Sequence, residues 1–365
     1  MKRIKLNSKI LLMSLALSVP AALLSSSYTE ETQMSFWKSV KNYMVYGTAK
    51  RGESESEIVY TIYNGERHIN PVHVTMQVLL EAELLLSDYL NIDLAPYGVP
   101  KETEVTITGV ADFLMNHYET ELIGGKEVVR LGYHFDYPIY DLKAPWYSGM
   151  AQGHATIVLL AAYLITNDEA YLDFAKKAVA ILGIQTTSGG AMIPLDDGTV
   201  WFEEYADPLK DISESPRVLN GHVFAVDGLF FYWMITKDTG VRMLLEKGIL
   251  GVDRNIHRYD AGFWSYYGLK GNFAHIGYHK LHVKQLLRLK YYADYLRISD
   301  YRKLQKYSKV FVDNLDLAPL GYIQRMIFQR NNLVYIIFST NFMFWFFVFV
   351  VALGFLGARN ASLKS

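Results

Sequence analysis

The chain has 365 residues, of which 51% are hydrophobic and 14% aromatic, and its formal net charge is −1. With so little net charge, the chain has no overall electrostatic attraction to nucleic acid, so any site for a polyanion has to be local. The sequence contains no cysteine, which excludes disulfides, thiol nucleophiles and thiolate metal sites. The length suffices for one large domain or two ordinary ones.

The N-terminal segment has the pattern of a secretory signal. An apolar run extends from Ile10 to about Leu24, and it is followed by three serines. Basic residues precede the run: Lys2, Arg3, Lys5 and Lys9. At ~15 residues the run is short for a membrane span, which needs ~20. We predict that residues 1–27 are a signal peptide or a signal anchor, and that residues 28–70 are a lead-in segment without a sustained period.

The C-terminal segment predicts a membrane-spanning helix. Residues 334–357 hold an uncharged run of ~23 residues that is rich in phenylalanine and is long enough to cross a bilayer. We assign residues 319–333 to a juxtamembrane linker and residues 358–365 to a tail. Basic residues lie on both sides of the helix, so the positive-inside rule does not decide its orientation.

Between these ends the apolar spacing is mainly helical, and we predict one domain over residues 71–318. Two-residue to three-residue polar turns divide its later part into three helix pairs. The predicted pairs are His154–Ile165 with the helix that follows Asp168, Val218–Ile235 with Gly240–Arg254, and Tyr278–Leu296 with Asp300–Asn314.

Short strands interrupt the helices. Gly124–Gly125 is a turn signal before a strand, residues 137–140 look like a further short strand, and Asp197–Gly198 predicts a hairpin turn. The fold class is therefore mainly α. We predict an α/α toroid, or incomplete α/α barrel, of antiparallel helix pairs with short β-hairpins in the site loops.

The start of the third helix pair carries a phenol and imidazoles. Tyr278 and His282 are four residues apart, so they share a helix face, and His279 lies beside them. This pattern is typical of proton-transfer groups, and equally of an amphipathic helix with partly buried histidines. The histidines of the chain show no metal-binding spacing, and we find no P-loop, dinucleotide fingerprint or nucleophile elbow. The sequence predicts no metal and no cofactor.

Three loop segments combine aromatic and polar side chains. Residues 201–205 hold two adjacent carboxylates, residues 259–270 hold five aromatic residues around two glycines, and residues 146–154 begin a helix with small residues. Aromatic rings of this density can form a platform for sugars, or they can plug the core beneath a loop. From the residues alone both readings stay open.

Five motifs read together resemble a known family. They are PWYSGMAQG at Pro145–Gly153, GGAMIPLDDGTVWFEEY at Gly189–Tyr205, VLNGHVFAVDGLF at Val218–Phe230, YDAGFWSYYGL at Tyr259–Leu269 and GYHKLHVKQL at Gly277–Leu286. Their order and spacing resemble the C-terminal catalytic region of D-glucuronyl C5-epimerases, which convert D-glucuronate to L-iduronate within heparan-type chains. The resemblance covers roughly residues 70–315.

The resemblance implies an α/α-barrel-like catalytic domain without a cofactor. It implies four catalytic residues: Glu204, Tyr205, Tyr267 and Tyr278. The candidate substrate-binding residues are Trp146, Gln152, Trp201, Glu203, Trp264, Lys270, His279 and His282. Two positions depart from the family's pattern, since Gly268 and Lys270 stand where the family has Asp and Arg. A lysine pairs with an anion as a point charge, without the bidentate fork of arginine.

The expected reaction is removal of the C5 proton, which lies α to a carboxylate, and its return on the opposite face of the ring. Two rival interpretations are open: a polysaccharide lyase, which would eliminate the C4 substituent after the same step, and a membrane-tethered glycan-binding protein without turnover. The expected partners are a glucuronate-containing polysaccharide and a membrane, contacted through the C-terminal helix, but not nucleic acid. A homodimer is left open. The catalytic domain is expected outside the cytoplasm, in a lumenal, periplasmic or extracellular position.

Overall fold

A computed structural model describes residues 8–46, 58–63, 65–100, 103–329 and 332–362 of the chain. Of the basic N-terminal residues, Lys2, Arg3 and Lys5 lie outside the described residues, as do residues 363–365 of the predicted tail. The chain is 65% helical. It divides into a first unit, Met1–Ala49 with Gly262–Trp264 and Asp313–Ser365, and a second unit, Lys50–Ala261 with Ser265–Val312.

The described residues form twelve α-helices and six short strands. The helices are α1 Ser8–Tyr46, α2 Pro71–Met76, α3 Leu79–Leu90, α4 Ile107–His117, α5 Gly149–Thr166, α6 Glu169–Ala180, α7 Leu219–Thr236, α8 Thr239–Asn255, α9 Ile276–Leu296, α10 Arg302–Asp316, α11 Ala318–Gln329 and α12 Asn332–Ser362. The strands are β1 Tyr60–Tyr63, β2 Glu66–Ile69, β3 Thr120–Ile123, β4 Lys126–Val129, β5 Met192–Pro194 and β6 Val200–Phe202. The predicted mainly-α class is confirmed, and the predicted toroid stays a prediction.

The predicted helix pairs of the second unit are present as α5–α6, α7–α8 and α9–α10. The first two turns repeat one local design. A residue in the left-handed conformation ends the first helix, Asn167 at φ 58° and Lys237 at φ 57°. An aspartate then caps the next helix, since Asp168 accepts from the backbone N of Ala170 at 2.9 Å and Asp238 from that of Gly240 at 2.7 Å.

Helices α5 and α7 form the centre of the second unit. Both are apolar on every side, and Gly149 to Ala162 and Leu219 to Tyr232 are buried without interruption. The helices approach closely because glycines meet where they cross. A methyl group on Gly153 would lie 2.8 Å from the Cα of Ala225. One added at Gly228 would lie 2.6 Å from the Cα of Gly153, so neither position has room for a side chain.

The six strands pair as three antiparallel hairpins. Two turns fall where the sequence predicts them, with φ of 57° and 79° at Gly124 and Gly125 and of 80° at Gly198. The hairpin β1–β2 lies in the predicted lead-in segment. The strand predicted at residues 137–140 is wrong, because Pro138–Tyr140 forms a 3₁₀ turn instead. Proline lacks the N–H that a strand would use, and Tyr137 pairs with Leu142 around the turn.

The first unit contains α1, α11 and α12. Helix α1 continues through Tyr46, well into the segment where the sequence shows no sustained period. The predicted juxtamembrane linker is largely helical, as α11. In the described part of the chain, three helices are long and apolar enough to cross a membrane: Ser8–Phe36, Gly149–Thr166 and Val334–Leu356. Of these, Gly149–Thr166 is the buried α5, whereas only 11% of Val334–Leu356 is buried, so the predicted C-terminal apolar helix is present.

Candidate active site

The structure brings together the four residues that the resemblance implies as catalytic. The rings of Tyr267 and Tyr278 lie 4.6 Å apart between centroids and are tilted by 51°. Burial raises the pKa of the Glu204 carboxyl group, and the nearby hydroxyls of Tyr205 and Tyr267 lower it. Glu204 is buried, and the three tyrosines are partly buried. We call these four residues the tyrosine cluster.

Each member of the tyrosine cluster is held by a different element. Glu204 follows strand β6, and two backbone hydrogen bonds fix Glu203 before it. Gly149 N donates to Glu203 O at 2.8 Å, and Glu203 N donates to Ala191 O at 2.8 Å. Tyr278 lies in the first turn of α9. The ring nitrogen Nδ1 of His275 caps that turn by accepting from the backbone N of Gly277 at 3.1 Å.

The loop of Tyr267 is tied to the start of α7. The backbone N of Leu219 donates to Tyr267 O at 3.2 Å, and the N of Leu269 donates to Pro216 O at 2.8 Å. These bonds place the phenol of Tyr267 against the carboxyl group of Glu204. They also make the loop a neighbour of the segment 215–218, which lines the two clefts described below.

Gly221 gives Glu204 its place. A methyl group on Gly221 would lie 2.5 Å from the Cβ and 2.8 Å from the Cγ of Glu204, so any side chain there would displace the carboxyl group. On the same turn of α7, Asn220 is buried and its Nδ2 lies 3.5 Å from Glu204 Oε2. The small residue in the α7 motif is therefore required by the carboxyl group and not by a bend in the helix.

Burial makes the ionised forms of the tyrosine cluster unfavourable. Desolvation raises the pKa of Glu204 to about 8, against the hydrogen bond from Tyr205, which lowers it. Desolvation and the nearby Glu204 raise the pKa of Tyr278 to about 12, and the pKa values of Tyr205 and Tyr267 lie well above that of a free phenol. The site therefore contains neutral phenols around a carboxyl group that titrates near neutral pH.

Glu203 has a different environment from its neighbour. It is 1% exposed, and its carboxylate accepts from the backbone N of Tyr205 at 3.0 Å, the backbone N of Arg217 at 3.1 Å and the hydroxyl of Ser215. Burial raises the pKa of Glu203, while these hydrogen bonds lower it. A carboxylate with this many donors holds the loop in place, so Glu203 positions Tyr205.

An aromatic wall surrounds Tyr205. The ring of Tyr137 stacks on it at 5.5 Å, and those of Tyr140 and Trp146 lie 4.5 Å and 5.7 Å away. Trp146 was predicted as a substrate-binding residue, and the structure places it beside the cluster. Tyr137 and Tyr140 were not among the predicted site residues. The high tyrosine content of this segment could have indicated them, but the segment was predicted as a strand instead.

Two predicted substrate-binding residues are packed in the core. Trp201 is 1% exposed and stacks on His222 at 4.1 Å between ring centroids. The side-chain amide of Gln152 is fully buried and lies 2.9 Å from Leu131 N and 3.1 Å from Ala178 O. These contacts occupy both side chains within the fold.

The predicted histidines also face away from the tyrosine cluster. His279 and His282 are fully buried, and their Nδ1 atoms lie 2.8 Å and 3.1 Å from the hydroxyl oxygen of Ser265. Desolvation and the neighbouring histidines lower the pKa of His282, so its ring is neutral at neutral pH. A neutral ring bonded to Ser265 does not supply the positive charge that a substrate carboxylate needs.

The remaining two predicted residues have different surroundings. Trp264 belongs to the first unit, where it is fully buried and the guanidinium of Arg325 lies 4.7 Å from its ring centroid. Lys270 is exposed and lines a cleft of the second unit. Among the described residues, no group of three or more His, Asp and Glu side chains is arranged to hold a metal ion.

Two clefts lie side by side in the second unit and share Ser215. The smaller one, of about 20 Å³, is lined by Tyr140, Glu203 and Tyr205 among others. The larger one, of about 330 Å³, is lined by Ser213, Ser215, Arg217, Arg258, Leu269 and Lys270. We call the larger one the basic cleft. Neither Arg217 nor Arg258 was predicted from the sequence, since both lie outside the five motifs.

Comparison with known proteins identifies a family and two similar proteins. The family model of the D-glucuronyl C5-epimerase C-terminus matches residues 125–307. An uncharacterized protein of Methanocaldococcus jannaschii is 31% identical over 160 residues, 43% of this chain and 50% of that protein. The D-glucuronyl C5-epimerase of Caenorhabditis elegans is 30% identical over 161 residues, 39% of this chain and 25% of that protein. The matches thus span half or less of these two relatives.

Proposed function

Because the chain belongs to the D-glucuronyl C5-epimerase family, through the part that matches the family's C-terminus, we propose that it is an isomerase that converts D-glucuronate units of a polysaccharide to L-iduronate. The observation that carries this proposal is the contact of Glu204 with Tyr205 and Tyr267, next to Tyr278. A cluster of phenols around one titrating carboxyl group suits the transfer of a single proton to and from carbon.

The proposed first step removes the C5 proton. The phenol of Tyr267 gives its own proton to the Glu204 carboxylate and takes the C5 proton, and the electrons of the C–H bond move into the substrate carboxylate as an enediolate. An acceptor whose pKa is about 8 is well matched to this relay near neutral pH, because it is more basic than an ordinary carboxylate. A free phenolate is not required, which agrees with the raised pKa values of the tyrosines.

The proposed second step returns a proton on the opposite face of C5. Tyr278 supplies it as a neutral phenol, since burial keeps its pKa at about 12. After the product leaves, the proton on Glu204 returns to Tyr278 through Tyr267, whose ring lies 4.6 Å from that of Tyr278 between centroids, and this restores the resting site. Lys270 remains our candidate for the charge that stabilises the enediolate.

The experiment that tests the proposed function is deuterium exchange at C5. The full chain in detergent is incubated in deuterated water with a glucuronate-containing polymer, and proton NMR follows the C5 signal. We expect deuterium at C5 together with an iduronate signal. Ultraviolet absorbance of an unsaturated uronate would indicate a lyase instead, and binding without exchange would indicate a glycan-binding protein.

The variant Tyr278→Phe is the sharpest probe of the mechanism. We expect it to fold and to lose exchange by at least about 100-fold, the usual contribution of a general acid or base. Tyr89→Phe is the matched control, because Tyr89 is 66% exposed on another helix of the unit. Exchange in Tyr278→Phe equal to that in the control would contradict the assignment.

The apolar helices of the chain are consistent with membrane anchoring. We infer that α12 crosses the bilayer and that the tyrosine cluster functions outside the cytoplasm, where polysaccharides are displayed. A protease added to intact cells or sealed vesicles tests this placement. If the protease cleaves the second unit only after the membrane is permeabilised, the result would contradict a position at the cell surface and support a lumenal one.

A further inference from the structure

The basic cleft is unusual in its charge. Of the described residues that line it, Arg217, Arg258 and Lys270 are cationic and none is acidic. Arg258 has a hydrogen bond of 3.4 Å to the side-chain oxygen of Asn255, and none of the three cations forms an ion pair with a described carboxylate. Cations that line a cleft without nearby carboxylates attract an anionic ligand.

The backbone at Arg217 supports a functional reading. Arg217 has φ 44°, in the left-handed region that is unfavourable for a residue with a side chain. The conformation is held by its own N, which donates to Glu203, and by its O, which accepts from the hydroxyl of Tyr259 at 2.6 Å. Strain of about 1–3 kcal/mol persists where the surroundings fix it, and it is concentrated at ligand sites.

The basic cleft continues the candidate active site. Ser215 lines it and also lines the cleft of Tyr205, and Leu269 follows Tyr267 by two residues. A polymer held with one sugar at the tyrosine cluster therefore passes its next units across Arg217 and Arg258. Arginine is well suited to this contact, because its planar fork binds carboxylate and sulfate with two hydrogen bonds.

We propose that the basic cleft binds the anionic group of a sugar unit adjacent to the one that is epimerised, either a carboxylate or a sulfate. This subsite rests on the proposed function, and it makes the polymer's second charge a requirement for tight binding. It also accounts for a lysine at position 270, since two nearby arginines supply the bidentate contacts.

Calorimetric titration of the full chain in detergent tests the subsite without requiring turnover. We expect Arg258→Gln to raise the Kd for an anionic uronate polymer about tenfold, the effect of one charge-assisted contact. The matched control is Arg67→Gln, which removes an exposed arginine from strand β2. Equal Kd values for the two variants would overturn the proposal.

Three polymers distinguish the two sources of the anion: an unsulfated one, an N-sulfated one, and an N-sulfated one whose carboxylates are reduced to alcohols. Loss of the Arg258 effect with the reduced polymer assigns the subsite to a carboxylate, and its persistence assigns it to a sulfate. Exchange at C5 is measured separately. If Arg258→Gln changes neither C5 exchange nor the Kd, the subsite proposal is contradicted and the proposed function is not.

An independent observation concerns the N-terminal helix, which is bonded along its length to other helices of the first unit. Asn341 of α12 donates from Nδ2 to Ser26 Oγ at 3.0 Å, and Trp345 donates from Nε1 to Ser25 Oγ at 3.1 Å. Gln33 lies 3.2 Å from Asn341 Oδ1. Since later residues of α1 meet earlier residues of α12, the two helices are antiparallel.

A buried ion pair fixes the same helix to α11. Glu30 and Arg325 are each 1% exposed, with Nη1–Oε1 and Nη2–Oε2 distances of 2.5 Å and 2.6 Å. Removing one partner of such a pair costs about 3–5 kcal/mol, because the other charge is left buried. The opposite faces of α1 and α12 expose apolar side chains, among them Leu12, Leu17, Leu24, Phe344, Phe347 and Phe355.

We infer that α1 is retained in the mature protein and forms a two-span membrane hairpin with α12. A signal peptidase cut near residue 27 would remove Ser25 and Ser26, so Trp345 Nε1 would lose its bond to Ser25 Oγ inside the bilayer and Asn341 Nδ2 would lose its bond to Ser26 Oγ, which is costly there. The hairpin brings the N-terminal end of α1, which carries Lys9, to the same side as the C-terminal end of α12. By the positive-inside rule that side is cytoplasmic, and the second unit lies on the other side.

The absence of cysteine makes a crosslinking test clean. In the full chain in its membrane, Ser26→Cys combined with Asn341→Cys is expected to form an intramolecular disulfide on oxidation. Leu17→Cys combined with Phe355→Cys is the control, since these side chains are 43% and 74% exposed. A mature protein that lacks the peptide before residue 28 by mass spectrometry, or equal crosslinking in both pairs, would overturn the hairpin.

Discussion

At the residue scale the decisive group is Glu204. Its pKa of about 8 in the folded chain lies above the ordinary value of 4.5, so the folded state keeps a proton that the unfolded state has released. Such a group contributes stability below pH 4.5, and this contribution is lost as the pH rises toward 8. The candidate active site is therefore a place where function lowers stability at neutral pH.

The variant Glu204→Gln measures this linkage directly. Between pH 4.5 and 8 the wild type loses ~1.4 kcal/mol per pH unit through this carboxyl group, and the glutamine variant does not. We therefore expect the variant to gain stability relative to the wild type as the pH rises through this window, and to lose C5 exchange. Thermal unfolding across the window checks it, with Glu119→Gln as an exposed control. Parallel curves for wild type and variant would contradict the pKa assignment.

The candidate site was partly predictable from individual residues. The order and spacing of the five motifs identified four residues that the structure brings together: Glu204, Tyr205, Tyr267 and Tyr278. The sequence could not separate them from Trp201, whose residue type and neighbours look equally suited to a sugar platform. Whether an aromatic ring faces a cleft or the core depends on the face its strand buries, which spacing over three residues does not fix.

At the element scale the helix pairs were predictable because their ends are local. A left-handed residue followed by an aspartate separates α5 from α6, and the same arrangement separates α7 from α8. The sequence shows both turns as short polar segments with an aspartate before the next helix. The 3₁₀ turn at Pro138–Tyr140 depends instead on contacts distant in the chain, such as that of Lys210 Nζ with Tyr140 O at 2.8 Å.

The contact between α5 and α7 gives an element-scale prediction. The variant Gly153→Ala places a methyl group 2.8 Å from the Cα of Ala225, where only backbone can yield. We expect a loss of about 1–3 kcal/mol of unfolding free energy from overpacking. Gly183→Ala is the control, since its methyl group would meet only Leu244 Cδ2 at 3.7 Å. Unfolding midpoints that coincide for the two variants would show that the helices separate easily.

At the scale of the whole molecule, a buried polar network joins distant parts of the second unit. Arg288 of α9 bonds Glu83 of α3 at 2.8 Å, lies 3.6 Å from Asp227 of α7, and covers the ring of Tyr97 at 3.7 Å. Asp227 accepts from the hydroxyls of Tyr97 at 2.7 Å and Tyr292 at 2.6 Å. No sequence period predicts these contacts, because they join residues more than 60 positions apart.

This network predicts an asymmetry between single and double substitutions. Arg288→Met leaves Glu83 and Asp227 buried without their cation, so we expect a loss of about 3–5 kcal/mol, seen as a lower thermal midpoint. Glu83→Met combined with Arg288→Met removes one charge of each sign and retains the volume, while Asp227 keeps its two phenol donors. The double variant should therefore recover most of the loss. A double variant as unstable as the single one would mean that the ion pair itself, and not the avoidance of an unpaired charge, holds α3, α7 and α9 together.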